Sequence, residues 1–160
     1  PALLNGWLAR LGPFIGLILV IAVFALLTDS PARYLSASNL RIVLAQTVIV
    51  AIGATGMTII IISGGIDLSV GSVIALSSVV TALMLRADYP PAIAVLAGVF
   101  VGGLVGLVNS LVITGLRVVP FIATLGMLGI ARGVAKWIAG QQTVNIPQTW
   151  VSELAVALPT

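Results

Sequence analysis

Residues 63–72 read Ser-Gly-Gly-Ile-Asp-Leu-Ser-Val-Gly-Ser, and they separate two long apolar runs at residues 42–62 and 73–85. The stretch holds three glycines and Asp67, an acid set deep in apolar sequence. A polar, glycine-rich break at membrane depth requires protein or a water-filled cavity to satisfy its backbone hydrogen bonds. These residues are therefore predicted to form a discontinuous region around which the membrane helices are arranged.

The composition of the whole chain is that of an integral membrane protein. Of its 160 residues, 60% are hydrophobic and 7% are charged, whereas a soluble domain carries about 25% charged residues. Seven scattered basic residues and four acids give a net charge of +3. Such a bias is more typical of residues that set membrane orientation or contact lipid headgroups than of a nucleic-acid-binding surface. With no cysteine, no histidine and four acids, the sequence predicts no disulfide, metal site or catalytic constellation, and no enzymatic role.

Five apolar runs are candidates for membrane helices, because a helix needs roughly 20 apolar residues to cross the hydrocarbon core. The predicted fold is all-α: a polytopic transmembrane bundle forming one domain over residues 1–160, as a piece of a longer chain. Ser38 or Asn39 is a candidate cap for a helix start ahead of the second run. The predicted helices cover residues 11–28, 42–62, 68–85, 91–116 and 120–140.

The fourth predicted helix carries Gly98, Gly102 and Gly106 at a spacing of four. This spacing predicts a helix-packing face on which another backbone can approach closely. Asn109 follows and is expected to face protein, because an amide in lipid is costly. An interhelical hydrogen bond is the favoured interpretation of Asn109, and an amide lining a pathway is the alternative.

Three segments, in the same order and spacing, resemble the permease subunits of bacterial sugar-importing ABC transporters of the ribose, xylose, arabinose and galactose type. The resemblance covers roughly residues 39–144, and this chain has Asn109-Ser110 where family members usually have Asn-Gly. The segments are residues 56–58 with 63–72, residues 109–113 with 120–126, and, more weakly, residues 131–133.

The resemblance implies the N-terminal half of a multi-pass permease in the bacterial inner membrane. It also implies that a monosaccharide is transported by alternating access, and that glycine-rich packing faces permit helices to slide past one another. The implied partners are a second permease copy, cytoplasmic ATP-binding subunits and an extracytoplasmic sugar-binding protein. No cofactor is expected on this chain, because ATP would be bound by the partner subunit. The fragment is not expected to transport by itself.

Nine residues are candidates for the translocation pathway or for the structural break. Asp67 or Ser69 could equally cap the third helix, and the glycines could serve backbone conformation. Arg132 and Lys136 are interpreted instead as cations that snorkel to the membrane interface. The nine candidates are Gly64, Gly65, Asp67, Ser69, Gly71, Asn109, Pro120, Phe121 and Thr124.

Two other classes of function remain open from the sequence. One is an ABC permease for branched-chain amino acids or nucleosides. The other is a membrane channel or scaffold subunit with no transport cycle. A proton- or sodium-coupled carrier is disfavoured, because such a carrier is expected to bury more acids.

Overall fold

The computed structural model describes residues 2–150 and 152–153. No β-strand occurs in these residues, which confirms the predicted all-α class. Two compact units divide the chain, one ending at Thr47 and the other beginning at Val48. The helices are α1 (Ala2–Leu27), α2 (Pro31–Tyr34), α3 (Ala37–Ile62), α4 (Val70–Arg86), α5 (Pro91–Gly115) and α6 (Pro120–Ile138).

Three of these helices are long and apolar enough to cross a membrane, namely α3, α5 and α6. The apolar stretches Leu11–Leu27 and Val70–Arg86 are shorter than these three helices. A helix rises about 1.5 Å per residue, so the 17 residues of α4 fall just short of the hydrocarbon thickness. The predicted polytopic helical bundle is confirmed, with α4 shortened because the glycine-rich break precedes it.

The start of α3 differs from the prediction, lying at Ala37 rather than at residue 42. The Ser36 hydroxyl accepts a hydrogen bond from the Asn39 N–H at 3.2 Å, and the Ser36 carbonyl accepts one from the Leu40 N–H. Ser36 is therefore the cap, and Ser38 and Asn39 lie inside the first turn. An apolar run marks only the part of a helix that fits lipid, whereas the hydrogen-bond ladder can continue into water. The same reason accounts for the extension of α1 back to Ala2.

The end of α3 is set by the glycine pair that opens the break. The Gly64 N–H donates to the Ile61 carbonyl at 2.9 Å, and the Gly65 N–H donates to the Ile60 carbonyl at 3.0 Å. This pair of bonds is the Schellman motif, which places its penultimate residue in the left-handed region. Gly64 occupies that position with φ of +80°. Because a Cβ is strained at this angle, glycine is the residue that lets the chain leave α3 here.

Close packing in the second unit centres on α4, which lies against both α5 and α6. Leu76 of α4 and Ala131 and Ala135 of α6 form its buried apolar core. On the other side, a Cβ added at Gly98 of α5 would overlap the Thr81 hydroxyl and lie 3.0 Å from the Ser77 carbonyl. Small residues here let the α4 and α5 backbones approach, as in many membrane bundles.

The predicted packing face of α5 consists of Gly98 and Gly102 in this chain. A Cβ at Gly102 would lie 3.2 Å from the Ser77 hydroxyl, but a Cβ at Gly106 would meet no described atom within 4 Å. Four residues turn an α-helix about 40° beyond a full revolution. Gly106 is therefore rotated away from α4, and its place in a packing face stays a prediction.

Replacing Gly98 by alanine is expected to destabilise the full-length protein, because the new methyl group overlaps Thr81. Overpacking of this kind costs about 1–3 kcal/mol. Gly106→Ala is the matched control, and it should be neutral or stabilising by up to about 1 kcal/mol, since alanine favours helix. Thermal unfolding in detergent measures both, and equal midpoints for the two variants would contradict the proposed packing face.

Candidate functional site

The non-helical backbone between α3 and α4 is held by a threonine of α6. The Leu68 N–H donates to the Thr124 hydroxyl at 3.1 Å. That hydroxyl lies within donating distance of the Ile66 carbonyl at 3.1 Å and of the Pro120 carbonyl at 2.9 Å in its own helix. Thr124 is 2% exposed. One buried side chain therefore supplies hydrogen bonds that the break cannot make within itself.

The carboxylate of Asp67 fixes the start of α4. Its Oδ1 atom accepts a hydrogen bond from the Ser69 N–H at 2.7 Å and another from the Ser69 hydroxyl at 2.6 Å. Bonds of this length to an ionised acceptor are charge-assisted and stronger than neutral ones. Ser69 directly precedes α4, and its own side chain makes no capping bond; its hydroxyl instead donates to Asp67 and accepts from Asn109.

Asn109 connects this arrangement to α5. Its Nδ2 amide donates to the Ser69 hydroxyl oxygen at 3.1 Å. Ser69 is fully buried and Asn109 is 7% exposed. The Ser69 hydroxyl thus accepts from Asn109 while donating to Asp67, and such chains polarise each bond in turn. We call Asp67, Ser69, Asn109 and Thr124 the polar node.

The polar node satisfies its buried groups internally. Within the described part of the chain, every buried side-chain nitrogen or oxygen has a hydrogen-bond partner. Its members come from the break, α5 and α6, with Asn109 lying 40 positions beyond Ser69 in the sequence. The polar node is suited to positioning helices, because its one carboxylate, that of Asp67, already accepts two short hydrogen bonds from Ser69.

The remaining candidate residues lie around the node rather than in it. Gly65 approaches α6, where an added Cβ would lie 3.7 Å from the Pro120 Cβ. Pro120 is the first residue of α6, a position that suits its fixed φ. Gly71 of α4 is exposed, as is Phe121, whose side chain is 47% accessible.

Sequence reasoning did not identify the backbone groups of Ile66 and Leu68 as partners in the site. Their side chains are apolar and give no signal of the role that their main chain plays. The available signal is indirect, because a break without regular structure leaves carbonyl and amide groups that must find partners.

A family model described as "Branched-chain amino acid transport system / permease component" matches residues 39–158, a range that includes the break and the whole polar node. The ribose import permease protein of Bacillus subtilis is 38% identical over 81% of this chain and 39% of its own length. The Escherichia coli K12 ribose import permease protein is 36% identical over 88% of this chain and 43% of its own length.

A fructose import permease protein of Rhizobium meliloti is 37% identical over 72% of this chain and 32% of its own length. The chain thus spans about two fifths of the length of the two ribose import permeases. No solved structure matches the chain.

Replacing Thr124 by valine should destabilise the full-length protein, because the Leu68 N–H loses its acceptor in a buried site. Leaving such a group unpaired costs about 1–3 kcal/mol. Thr114→Val is the matched control, since the Thr114 hydroxyl is exposed and bonds the Ser110 carbonyl of its own helix. The expected result is a clear drop in the thermal unfolding midpoint for Thr124→Val alone. Similar midpoints for both variants would contradict the role given to Thr124.

Proposed function

The chain belongs to the family of branched-chain amino acid transport system permease components, and from this premise we propose that it forms part of the translocation subunit of an ATP-driven monosaccharide importer. The observation that carries the proposal is the set of relatives at 35–38% identity, which are import permeases for ribose, fructose and allose. An exporter or a channel has no comparable support.

The electrostatics of the second unit favour a neutral substrate. The sequence has four acids, and Asp67, set deep in apolar sequence, is engaged by the Ser69 N–H and hydroxyl. A zwitterionic amino acid would have its carboxylate and ammonium groups stripped of water and would need charged or strongly polar partners. A sugar needs only weak polar contacts, because a separate binding protein can supply most of the selectivity. This supports a monosaccharide over the branched-chain amino acids named in the family description.

Other subunits are needed to complete the proposed importer. The sequence contains no Gly-x-x-x-x-Gly-Lys-Ser/Thr motif for holding nucleotide phosphates, so ATP would be bound and hydrolysed by separate cytoplasmic subunits. A second permease copy would complete the membrane path. An extracytoplasmic sugar-binding protein would deliver the substrate, and the whole assembly would lie in the bacterial inner membrane.

The polar node is proposed to make α4, α5 and α6 move as one body. Asn109 and Thr124 attach the break to α5 and α6, and the contact at Gly98 leaves no clearance between α4 and α5. This close fit favours rigid-body tilting over the sliding of helices that glycine-rich faces suggest. A packed core with two discrete arrangements can transmit such a movement.

The articulation point is proposed to be the glycine pair at residues 64–65. Gly64 follows α3 and has a left-handed backbone conformation. The structure describes every residue of α3, and none of them is buried. Hinges are short segments at the ends of elements that absorb changes of φ and ψ. ATP-driven closure of the partner subunits would then tilt the α4–α6 body about this point and alternate access to a central path.

Reconstitution of the full-length permease tests the proposed function. The protein would be placed in liposomes with its ATP-binding subunits and sugar-binding protein, and uptake of labelled ribose, fructose, allose and leucine would be followed. Uptake of one or more sugars that needs both ATP and the binding protein is expected. Sugar uptake without ATP would point to a channel, and uptake of leucine alone would point to an amino-acid importer; either result would overturn the proposal.

A substitution at Asp67 tests the role of the polar node in that assay. Asp67→Ala removes the acceptor of two hydrogen bonds from Ser69. A hydrogen bond to a charged group contributes about 1.5–3 kcal/mol to stability. Uptake or recovery of the assembled complex should therefore fall by roughly tenfold or more. Asp67→Asn retains an accepting oxygen and should recover part of the loss.

Arg86→Ala serves as the control for this series. Arg86 is exposed at the last turn of α4, away from the described contacts of the node, so its removal should change uptake little. Equal losses for Asp67→Ala and Arg86→Ala would remove the reason for singling out Asp67.

A further inference from the structure

A cavity of about 450 Å³ lies beside the C-terminal end of α6 and is separate from the polar node. One wall is polar and is formed by Arg132 and Lys136 of α6 together with the segment that follows this helix. The other wall is apolar and includes Ala75 and Val79 of α4. The cavity therefore joins two cations to a surface of small apolar side chains.

The fold brings the polar groups together by reversing the chain after α6. Gly140 has φ of +61°, and the Gln141 N–H donates to the Lys136 carbonyl at 2.9 Å. This geometry ends the helix in the same way as at Gly64. It returns Gln141, Gln142 and Thr143 to line the cavity with Lys136. Amide and hydroxyl donors thus stand beside the two cations.

The charge in this cavity is unopposed by acids. Arg132 and Lys136 are four residues apart, so they share one face of α6. Among the residues that the structure describes, no aspartate or glutamate lines the cavity. Two cations at the end of a membrane-spanning helix repel one another, and an anion bound between them would relieve that repulsion.

The donor set matches a phosphate group. A guanidinium offers a planar fork of N–H donors suited to phosphate oxygens, and an ammonium adds a compact charge. The neighbouring Trp137 is 80% exposed, as expected of an aromatic residue at the level of lipid headgroups. Basic pockets between membrane helices are known to hold anionic headgroups, while apolar walls accept acyl chains.

We propose that this cavity is a phosphate-binding site, with Arg132 and Lys136 as its charged ligands and the 141–143 segment supplying neutral donors. An anionic phospholipid at the membrane surface and a free phosphate in solution both present the required group. The apolar wall formed with α4 favours the phospholipid. The site is distinct from the pathway proposed for sugar and does not depend on the identity of the substrate.

Native mass spectrometry of the full-length protein can test the site. The protein would be released from nanodiscs of phosphatidylcholine that contain a minority of phosphatidylglycerol, and retained lipids would be counted. Removal of two cations should weaken binding roughly 30-fold, at about a factor of five for each charge. The test variant is Arg132→Gln/Lys136→Gln. Arg86→Gln/Arg117→Gln is the control, because it removes the same charge at two exposed positions outside the cavity.

Selective retention of phosphatidylglycerol by the unmodified protein and the control, with loss in the test variant, would support the site and identify a phospholipid as its source. Displacement of that lipid by inorganic phosphate, or phosphate binding that is lost in the same variant, would support the site with a soluble source. Equal retention of phosphatidylglycerol by all three proteins, with no phosphate binding that depends on Arg132 and Lys136, would overturn it. If the double variant does not fold, Lys136→Gln alone should still weaken binding about fivefold, and an unchanged affinity would overturn the proposal.

Discussion

The structure depends on satisfying the backbone hydrogen bonds of a segment that is not helical. A membrane interior offers no water to amide and carbonyl groups, so an irregular segment persists there only with protein partners. The Thr124 hydroxyl accepts a hydrogen bond from the Leu68 N–H and lies within donating distance of the Ile66 carbonyl. Asp67 and Asn109 order the same segment through Ser69. The packing of α4 against α5 and α6 follows from these bonds as well as from apolar contact.

Close packing is distributed unevenly within the second unit. The α4–α5 contact is tight at Gly98, and the core around Leu76 ties α4 to α6. By contrast, α3 ends at Ile62, two residues before Gly64, and none of its residues is buried. Exposed apolar surface carries no hydrophobic penalty in lipid. The proposed hinge at residues 64–65 therefore lies beside the closely packed helices α4, α5 and α6.

Charge is used sparingly, and its placement separates two tasks. The one acid of the break accepts two short hydrogen bonds from Ser69, which hold its carboxylate at the start of α4. The cations Arg132 and Lys136 instead line a cavity near the end of α6, the site proposed for a phosphate group. The proposed path for a neutral solute and the proposed phosphate site would therefore use different residues of one small bundle.

The sequence by itself determined the helical class and the position of the break, because apolar length is a local property. The requirement for glycine at residue 64 follows from its positive φ in the structure. The sequence pattern placed the α3 cap at Ser38 or Asn39, whereas Ser36 occupies that position. Only the tertiary structure decided which side chains complete the break. The hydroxyls of Thr47, Thr58 and Thr114 bond to their own helices. The family resemblance marked Thr124 as a candidate, but only the approach of α6 to a segment more than 50 positions earlier shows that its hydroxyl is a partner of the break.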